Sequence, residues 1–199
     1  MSEPSTRRGK DTKGRIVAAA TALMYEHGVN AISIEEIVAA SGTGKGQFYH
    51  YFVSKEELIA EVLRYQLEQV LEEQKLFQLD TLEGIHAWFG ALVGMQENRQ
   101  EFRGCPLGSI ASEVLDHGEN LRNRAADAFS RWESSLVDGL RSMLARGTLL
   151  ADADPDALAE AMIAILQGGY LLSAIKQNVR PMRNAVRAAA NHLDSFASA

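Results

Sequence analysis

Apolar residues recur along this chain at intervals of three and four rather than two. Ile16, Ala19, Ala20, Leu23 and Met24 fall on one face of a helix, the same spacing returns nearly everywhere, and strand-like alternation is scarce. Helix starts are marked by a Ser, Thr or Asp with Glu three residues on, a pair that satisfies two orphan backbone donors. Ser33 with Glu36, Ser54 with Glu57 and Asp80 with Glu83 have this spacing. Asp154 before Pro155 marks a fourth start, because proline lacks only a donor that the first turn leaves unpaired. Stops are read at Gly28, at Gly104 with Pro106, and at Gly118, Gly147 and Pro181. Together these signals predict an all-α fold of about nine helices, over 10–27, 34–40, 45–51, 55–77, 81–99, 106–116, 119–146, 155–178 and 182–197. Residues 1–9 read as a mobile arm, and no repeat or low-complexity tract interrupts the pattern.

Composition narrows the class. With 46% hydrophobic and 23% charged residues the chain is an ordinary globular one, which excludes disorder, rods and collagen-like repeats. Its 199 residues suit one small module and one larger one. No stretch reaches the roughly 18 apolar residues of a membrane span, and the polar start MSEPSTRRGKDTKGR is no secretory signal, so a soluble, cytoplasmic protein without a membrane partner is expected. A single cysteine, Cys105, excludes an intrachain disulfide framework.

A net charge of -6 and a pI near 5.4 argue, as averages, against a nucleic-acid partner. The average hides an asymmetry. Residues 1–55 carry seven Lys and Arg against five Asp and Glu, while the rest carry 13 against 21. The basic part is suited to meet phosphate and the acidic part to keep the molecule soluble.

The informative stretch runs from Ile34 to Phe52. About two helical turns, with Ile34, Ile37 and Val38 apolar, are followed by a turn at Ser41-Gly42-Thr43 and a second, very short helix. That is helix-turn-helix spacing: Gly42 is suited to the left-handed conformation that ends the first helix, and small Ala39 and Ala40 allow close approach. The second helix carries Lys45, Gln47, Tyr49 and His50, all able to donate hydrogen bonds to phosphates or base edges. Phe48 and Phe52 are its expected inward anchors. From spacing alone, ordinary packing of short glycine-bounded helices is the competing reading, with Tyr49 or Tyr51 in the core.

The segments Ile37-Val38-Ala39-Ala40-Ser41-Gly42 and Lys45-Gly46-Gln47-Phe48-Tyr49-His50-Tyr51-Phe52, followed by Ser54-Lys55-Glu56-Glu57-Leu58, resemble the DNA-binding third of the TetR family of bacterial transcriptional regulators. The resemblance implies an all-α homodimer, with residues 1–55 as a three-helix DNA-binding domain and residues 56–199 as a ligand-binding and dimerisation domain. It implies that Lys45, Gln47, Tyr49 and His50 face DNA, with Gln47 the foremost base reader. Lys55 would meet phosphate at the next helix start, and Ser33 would touch the backbone near its own cap. The family commonly has Val-Ser where this chain has Thr43-Gly44, so Thr43 is expected to supply the hydroxyl that is lost. The basic run Arg7, Arg8, Lys10, Lys13 precedes this motif and could neutralise a few phosphates.

The larger domain lacks the signatures of chemistry: no Gly-rich phosphate loop, no His-Glu-x-x-His, no cysteine cluster. His27, His86, His117 and His192 are dispersed. A binding domain rather than an enzyme is expected, with no metal or cofactor. Trp88, Phe89, Phe102, Trp132 and Tyr170 concentrate aromatic surface where a bundle buries ligands, and Gln167 and Tyr170 offer polar groups; plain core is the bland alternative. Cys105 directly precedes Pro106, so it is expected to cap the sixth helix, where unpaired amides, the helix dipole and Arg103 favour a thiolate. The segment Gly104, Cys105, Leu107, Gly108, Ala111, Glu113 resembles a subgroup of the same family, some of whose members respond to oxidants or electrophiles through cysteine. An inert buried thiol is the alternative.

The eighth helix is apolar over most of its surface (Leu158, Ala161, Met162, Ile165, Leu166, Gly169, Leu172), and the ninth is Ala-rich. Two such helices per subunit suit an isologous four-helix dimer interface. The expected function is that of a ligand-responsive regulator, a repressor by preference, on a near-palindromic operator. Two other classes remain: a constitutive architectural DNA-binding protein, which a filled core without a pocket favours, and an all-α enzyme, which needs convergent titratable groups.

Overall fold

A computed structural model of the chain describes residue 4, residues 6–98 and residues 102–198. Among these the backbone forms nine α-helices: α1 (Arg7–His27), α2 (Ile34–Ser41), α3 (Lys45–Tyr51), α4 (Lys55–Gln74), α5 (Leu82–Glu97), α6 (Pro106–Glu113), α7 (Glu119–Ala145), α8 (Pro155–Lys176) and α9 (Arg180–Asp194). The only pairing of extended backbone among them is one antiparallel bridge, Leu149 with Ala197. The all-α expectation holds.

Helix ends differ from the sequence reading for local reasons. The hydroxyl of Thr6 accepts the N–H of Gly9 at 3.1 Å, so α1 begins at Arg7, and Arg7 and Arg8 are helical where a mobile arm was expected. Residues 1–3 and 5 of that arm lie outside the described residues, as does Arg99, the last residue expected of the fifth helix. Thr81, not Asp80, caps α5, accepting from Gly84 N at 3.0 Å. Asp80 instead pairs with Arg146 at 3.1 Å. Pro181 does not stop α8. Gln177 ends that helix in the left-handed region at φ 45°, and Pro181 sits in the first turn of α9, where its missing N–H costs nothing. The chain leaves α9 at Asp194 because Phe196 and Ser198 bond with the 148–150 segment: Leu150 N donates to Phe196 O at 2.8 Å and Ser198 N to Thr148 O at 2.9 Å.

The residues divide into two compact units. The first holds the chain as far as Glu68 together with Pro106–Ala128. Ile16, Val17, Ala20 and Met24 of α1 are buried in it with Ile37, Phe48, Phe52, Leu58, Ile59 and Val62, and with Leu107, Ile110 and Val114 from the α6 region. Its polar cross-links are long in sequence. The carboxylate of Glu113 accepts the backbone N–H of Val29 at 2.7 Å, and the ammonium of Lys55 donates to the carbonyl of the same residue at 2.7 Å. Lys13 meets Glu61 at 2.8 Å, and Arg64 meets Glu61 at 2.7 Å. The Arg64 guanidinium, and after it the Lys13 ammonium, pull the Glu61 carboxyl from the ordinary 4.5 to about 2 against the opposing effect of burial.

The second unit runs from Gln69 to Cys105 and resumes at Phe129. Here α8 packs chiefly on α9, and α5 also packs on α9. Gly139 of α7 admits the 79–80 backbone: a Cβ there would stand 2.2 Å from Leu79 O. By length and composition α8 is long and apolar enough to cross a membrane, a correction to the expectation that no stretch is. Its inward row, Leu158, Met162, Ile163, Leu166 and Tyr170, is buried as the core helix of this unit.

Candidate nucleic-acid interface and the interior of the second unit

Ser33 and Glu36 close a reciprocal cap at the start of α2. The Ser33 hydroxyl accepts Glu36 N at 3.3 Å, and the Glu36 carboxylate accepts Ser33 N at 2.8 Å. Hydrogen bonding to Ser33 lowers the Glu36 carboxyl below its ordinary value. The helix ends on Gly42 at φ 61°, which only glycine adopts without strain, and its N–H turns back to Ala39 O at 3.2 Å. Arg15 pins this turn by donating to Ser41 O at 3.3 Å. Three residues after Gly42, α3 begins at Lys45. Phe48 and Phe52 are both wholly buried, their ring centroids 5.6 Å apart, which contributes about 1.5–3 kcal/mol per ring. Anchoring Phe48 and Phe52 leaves Lys45, Gln47, Tyr49 and His50 exposed on α3, with Tyr49 52% accessible.

Each of the sequence-derived contact residues has a definite place. Lys45 pairs with Glu35 of α2 at 2.6 Å, both side chains exposed. The hydrogen bond between them lowers the carboxyl of Glu35 and raises the ammonium of Lys45. Gln47 turns its Oε1 back onto Gly44 N at 3.0 Å and so caps its own helix. Thr43 does not take over the missing cap: its hydroxyl lies 2.7 Å from that of Ser41, and α3 starts on Gly44 with no side-chain cap of its own. Ser33 is engaged in the α2 cap and Lys55 on Val29, while Tyr51 is half-buried.

In the second unit Trp88, Phe89, Trp132 and Tyr170 are buried, whereas Phe102 and Gln167 are half-buried. Trp88 and Phe89 lie 5.2 Å apart, and Trp132 lies 6.0 Å from Phe129. Both backbone groups of Phe102 are held by the Gln177 side chain. Cys105 is buried immediately before Pro106 opens α6.

Two residues that sequence reasoning passed over change the character of this interior. Gln74 and Gln96 are buried, and with Trp132 and Gln167 they present polar atoms with no hydrogen-bond partner: Gln74 Nε2, Gln96 Oε1, Trp132 Nε1 and Gln167 Nε2. An unmet buried polar atom costs about 1–3 kcal/mol, so its partner is sought in water or a ligand. Gln96 was legible, since it follows Trp88 and Leu92 at intervals of four on the apolar row of α5. Gln74 carried no such signal, since the Ser135 hydroxyl that donates to its Oε1 at 2.9 Å lies 61 residues away in the chain. Among the described residues no three His, Cys, Asp or Glu converge to hold a metal.

Comparison with known proteins matches two stretches of the chain. The description "Bacterial regulatory proteins, tetR family" matches residues 16–62, and "Tetracyclin repressor-like, C-terminal domain" matches residues 81–189. The chain is 28% identical over 181 residues to the HTH-type transcriptional regulator YxaF of Bacillus subtilis, covering 89% of this chain and 92% of that one. It is 25% identical over 183 residues to the HTH-type transcriptional repressor NemR of Escherichia coli, covering 88% and 90%. A regulator structure from Chloroflexus aurantiacus superposes with a TM-score of 0.81 at 27% identity, covering 96% of this chain and 98% of that chain. NemR in its reduced form also superposes with 0.81, covering 91% and 96%, and at 22% identity that likeness is one of fold.

Proposed function

The chain belongs to the TetR family of bacterial transcription regulators, and from that premise we propose that it is a repressor that binds a near-palindromic operator as a homodimer. Release follows from a small effector or from modification of Cys105. The observation that carries this reading is the exposed row Lys45, Gln47, Tyr49 and His50, raised on a helix anchored by Phe48 and Phe52. Gln47 reads a base edge, Lys45, Tyr49 and His50 contact phosphate or bases, and Ser33, Thr43 and Lys55 touch the backbone. Residues 1–55 act as the DNA-binding domain and 56–199 as the sensor and dimerisation domain. Double-stranded DNA as partner implies a cytoplasmic site of action.

Dimerisation is supported by α8 and α9. Leu171, Leu172 and Ile175 are exposed there, beside a groove of about 750 Å³ lined by Ile165, Gly168, Leu172, Pro181 and Ala185. A second copy covering this face gives the two-fold symmetry that sets recognition helices in successive major grooves, about 34–36 Å apart or somewhat more. The effector takes the interior of Trp88, Phe89, Phe102, Cys105, Trp132, Gln167 and Tyr170 and shifts the population between two arrangements, with α4 as the link; it must bind them unequally. The unmet polar atoms of this interior favour that reading over a constitutive architectural protein.

The test is operator binding on the promoter region beside the protein's own gene, at stated salt, with and without candidate effectors and with Cys105→Ser. Sequence-specific binding that an effector or thiol modification weakens is expected. Binding without sequence preference, or without any response, rejects the reading.

A further inference from the structure

We propose that the effector, on the reading just given, is an uncharged molecule rich in hydrogen-bond acceptors, a carbonyl compound in type, held by the indole N–H of Trp132 and the carboxamides of Gln74, Gln96 and Gln167. All four unmet polar atoms among the described residues fall in the second unit. They come from inward-facing rows of separate helices. Gln96 continues Trp88 and Leu92 on α5, and Gln167 stands between Ile163 and Tyr170 on α8. Gln74, at the end of α4, is tied through Ser135 to the turn of α7 that bears Trp132.

The chemistry of these atoms defines the ligand. An indole N–H only donates, so Trp132 demands an acceptor. The Ser135 hydroxyl lies 2.6 Å from Trp132 O and 2.9 Å from Gln74 Oε1, so the Gln74 carboxamide meets Ser135 with its oxygen and keeps its Nε2 for a guest. Carboxamides both give and accept, which suits a neutral carbonyl or amide. Charge is excluded by the surroundings: no Asp, Glu, Lys, Arg or His is buried among the described residues. An ion taken into this interior loses its hydration with no opposite charge to replace it.

The test uses the full chain and three matched probes: β-naphthamide, β-naphthoate and β-naphthylmethylammonium. Binding is read from intrinsic fluorescence, since the chain has two tryptophans and Trp132→Phe leaves Trp88 as reporter. The amide is expected to bind at least about tenfold more tightly than either ion, and Trp132→Phe to weaken it about three- to tenfold, the worth of one hydrogen bond. Gln96→Leu serves as the second variant, with the same loss expected, should Trp132→Phe not fold. An ion binding as tightly as the amide overturns the proposal, and so does a series in which none binds, ordered water then being what these atoms hold. Repeating the titration with operator duplex separates the two readings. A carboxylate that releases DNA rejects the effector class and leaves effector control standing; an amide that binds without releasing DNA upholds the class and rejects release.

Discussion

The ammonium of Lys45 at the start of the reading helix lies 2.6 Å from the carboxylate of Glu35 on the helix before it. The strongest point charge on the exposed face of α3 is therefore partly neutralised before DNA arrives. For Lys45 to meet a phosphate, that pair must open. Glu35→Gln is expected to tighten binding to any duplex by about threefold at low salt and to steepen the salt dependence by up to about 0.9 in log-log slope, one further phosphate neutralised. Fluorescence anisotropy over a salt series measures both. An unchanged slope would mean that Lys45 does not reach the backbone.

Gln47 serves two masters, and its variants separate them. Its Oε1 accepts Gly44 N at 3.0 Å, so Gln47→Ala removes a helix cap as well as the proposed base reader. Gln47→Glu keeps an acceptor for the cap but loses the donor that a bidentate contact with adenine needs. Both variants are expected to lose about 1–3 kcal/mol of discrimination between operator and scrambled DNA. Only Gln47→Ala should also lower the thermal midpoint. Competition binding with a scrambled duplex, alongside thermal melts, gives the two readouts.

Acid should loosen the first unit in a defined window. The Glu61 carboxyl, drawn from 4.5 to about 2 by Arg64 and Lys13, lends stability that is complete above about 4.5 and is lost as the pH falls towards 2. Glu61→Gln should be less stable at neutral pH and should show a shallower fall across that window. Thermal denaturation of both proteins between those limits is the measurement, and parallel curves would remove Glu61 from the account.

Gly139 is a packing requirement of the second unit. A methyl group there would meet Leu79 O at 2.2 Å and Asp80 N at 3.1 Å, both backbone atoms that cannot swing aside. Gly139→Ala is expected to cost about 1–3 kcal/mol, as overpacking does, despite alanine's better helix propensity. Urea denaturation reads the loss. A stabilised variant would show that the turn gives way.

What was legible in the sequence was local. Ser33 with Glu36, Asp154 with Pro155, and Gly42 act within four residues of themselves, and each does in space what its spacing predicts. Phe48 and Phe52 were legible as anchors because their interval of four places them on one face. Asp80 misled because Arg146, 66 residues on, competes for it and leaves the cap to Thr81. Lys55 was legible as a cation at a helix start, but nothing near it in the chain announces Val29 as its partner. In the interior of the second unit the aromatic residues were visible as large side chains. Gln74 was not, because the Ser135 hydroxyl that meets it lies on a helix that follows much later in the chain.

Glu113 on Val29 also bears on how the protein comes to be. The chain that carries the reading helix is made early, yet the carboxylate that holds the N–H after α1, and the buried Leu107 and Ile110 beside it in sequence, belong to a segment translated some fifty residues after α4 begins. A nascent chain halted before α6 would bear every proposed DNA contact on an unfinished support. Competence for the operator thus awaits synthesis of part of the body, and an excised head ending at α4 would begin life with its Val29 amide exposed.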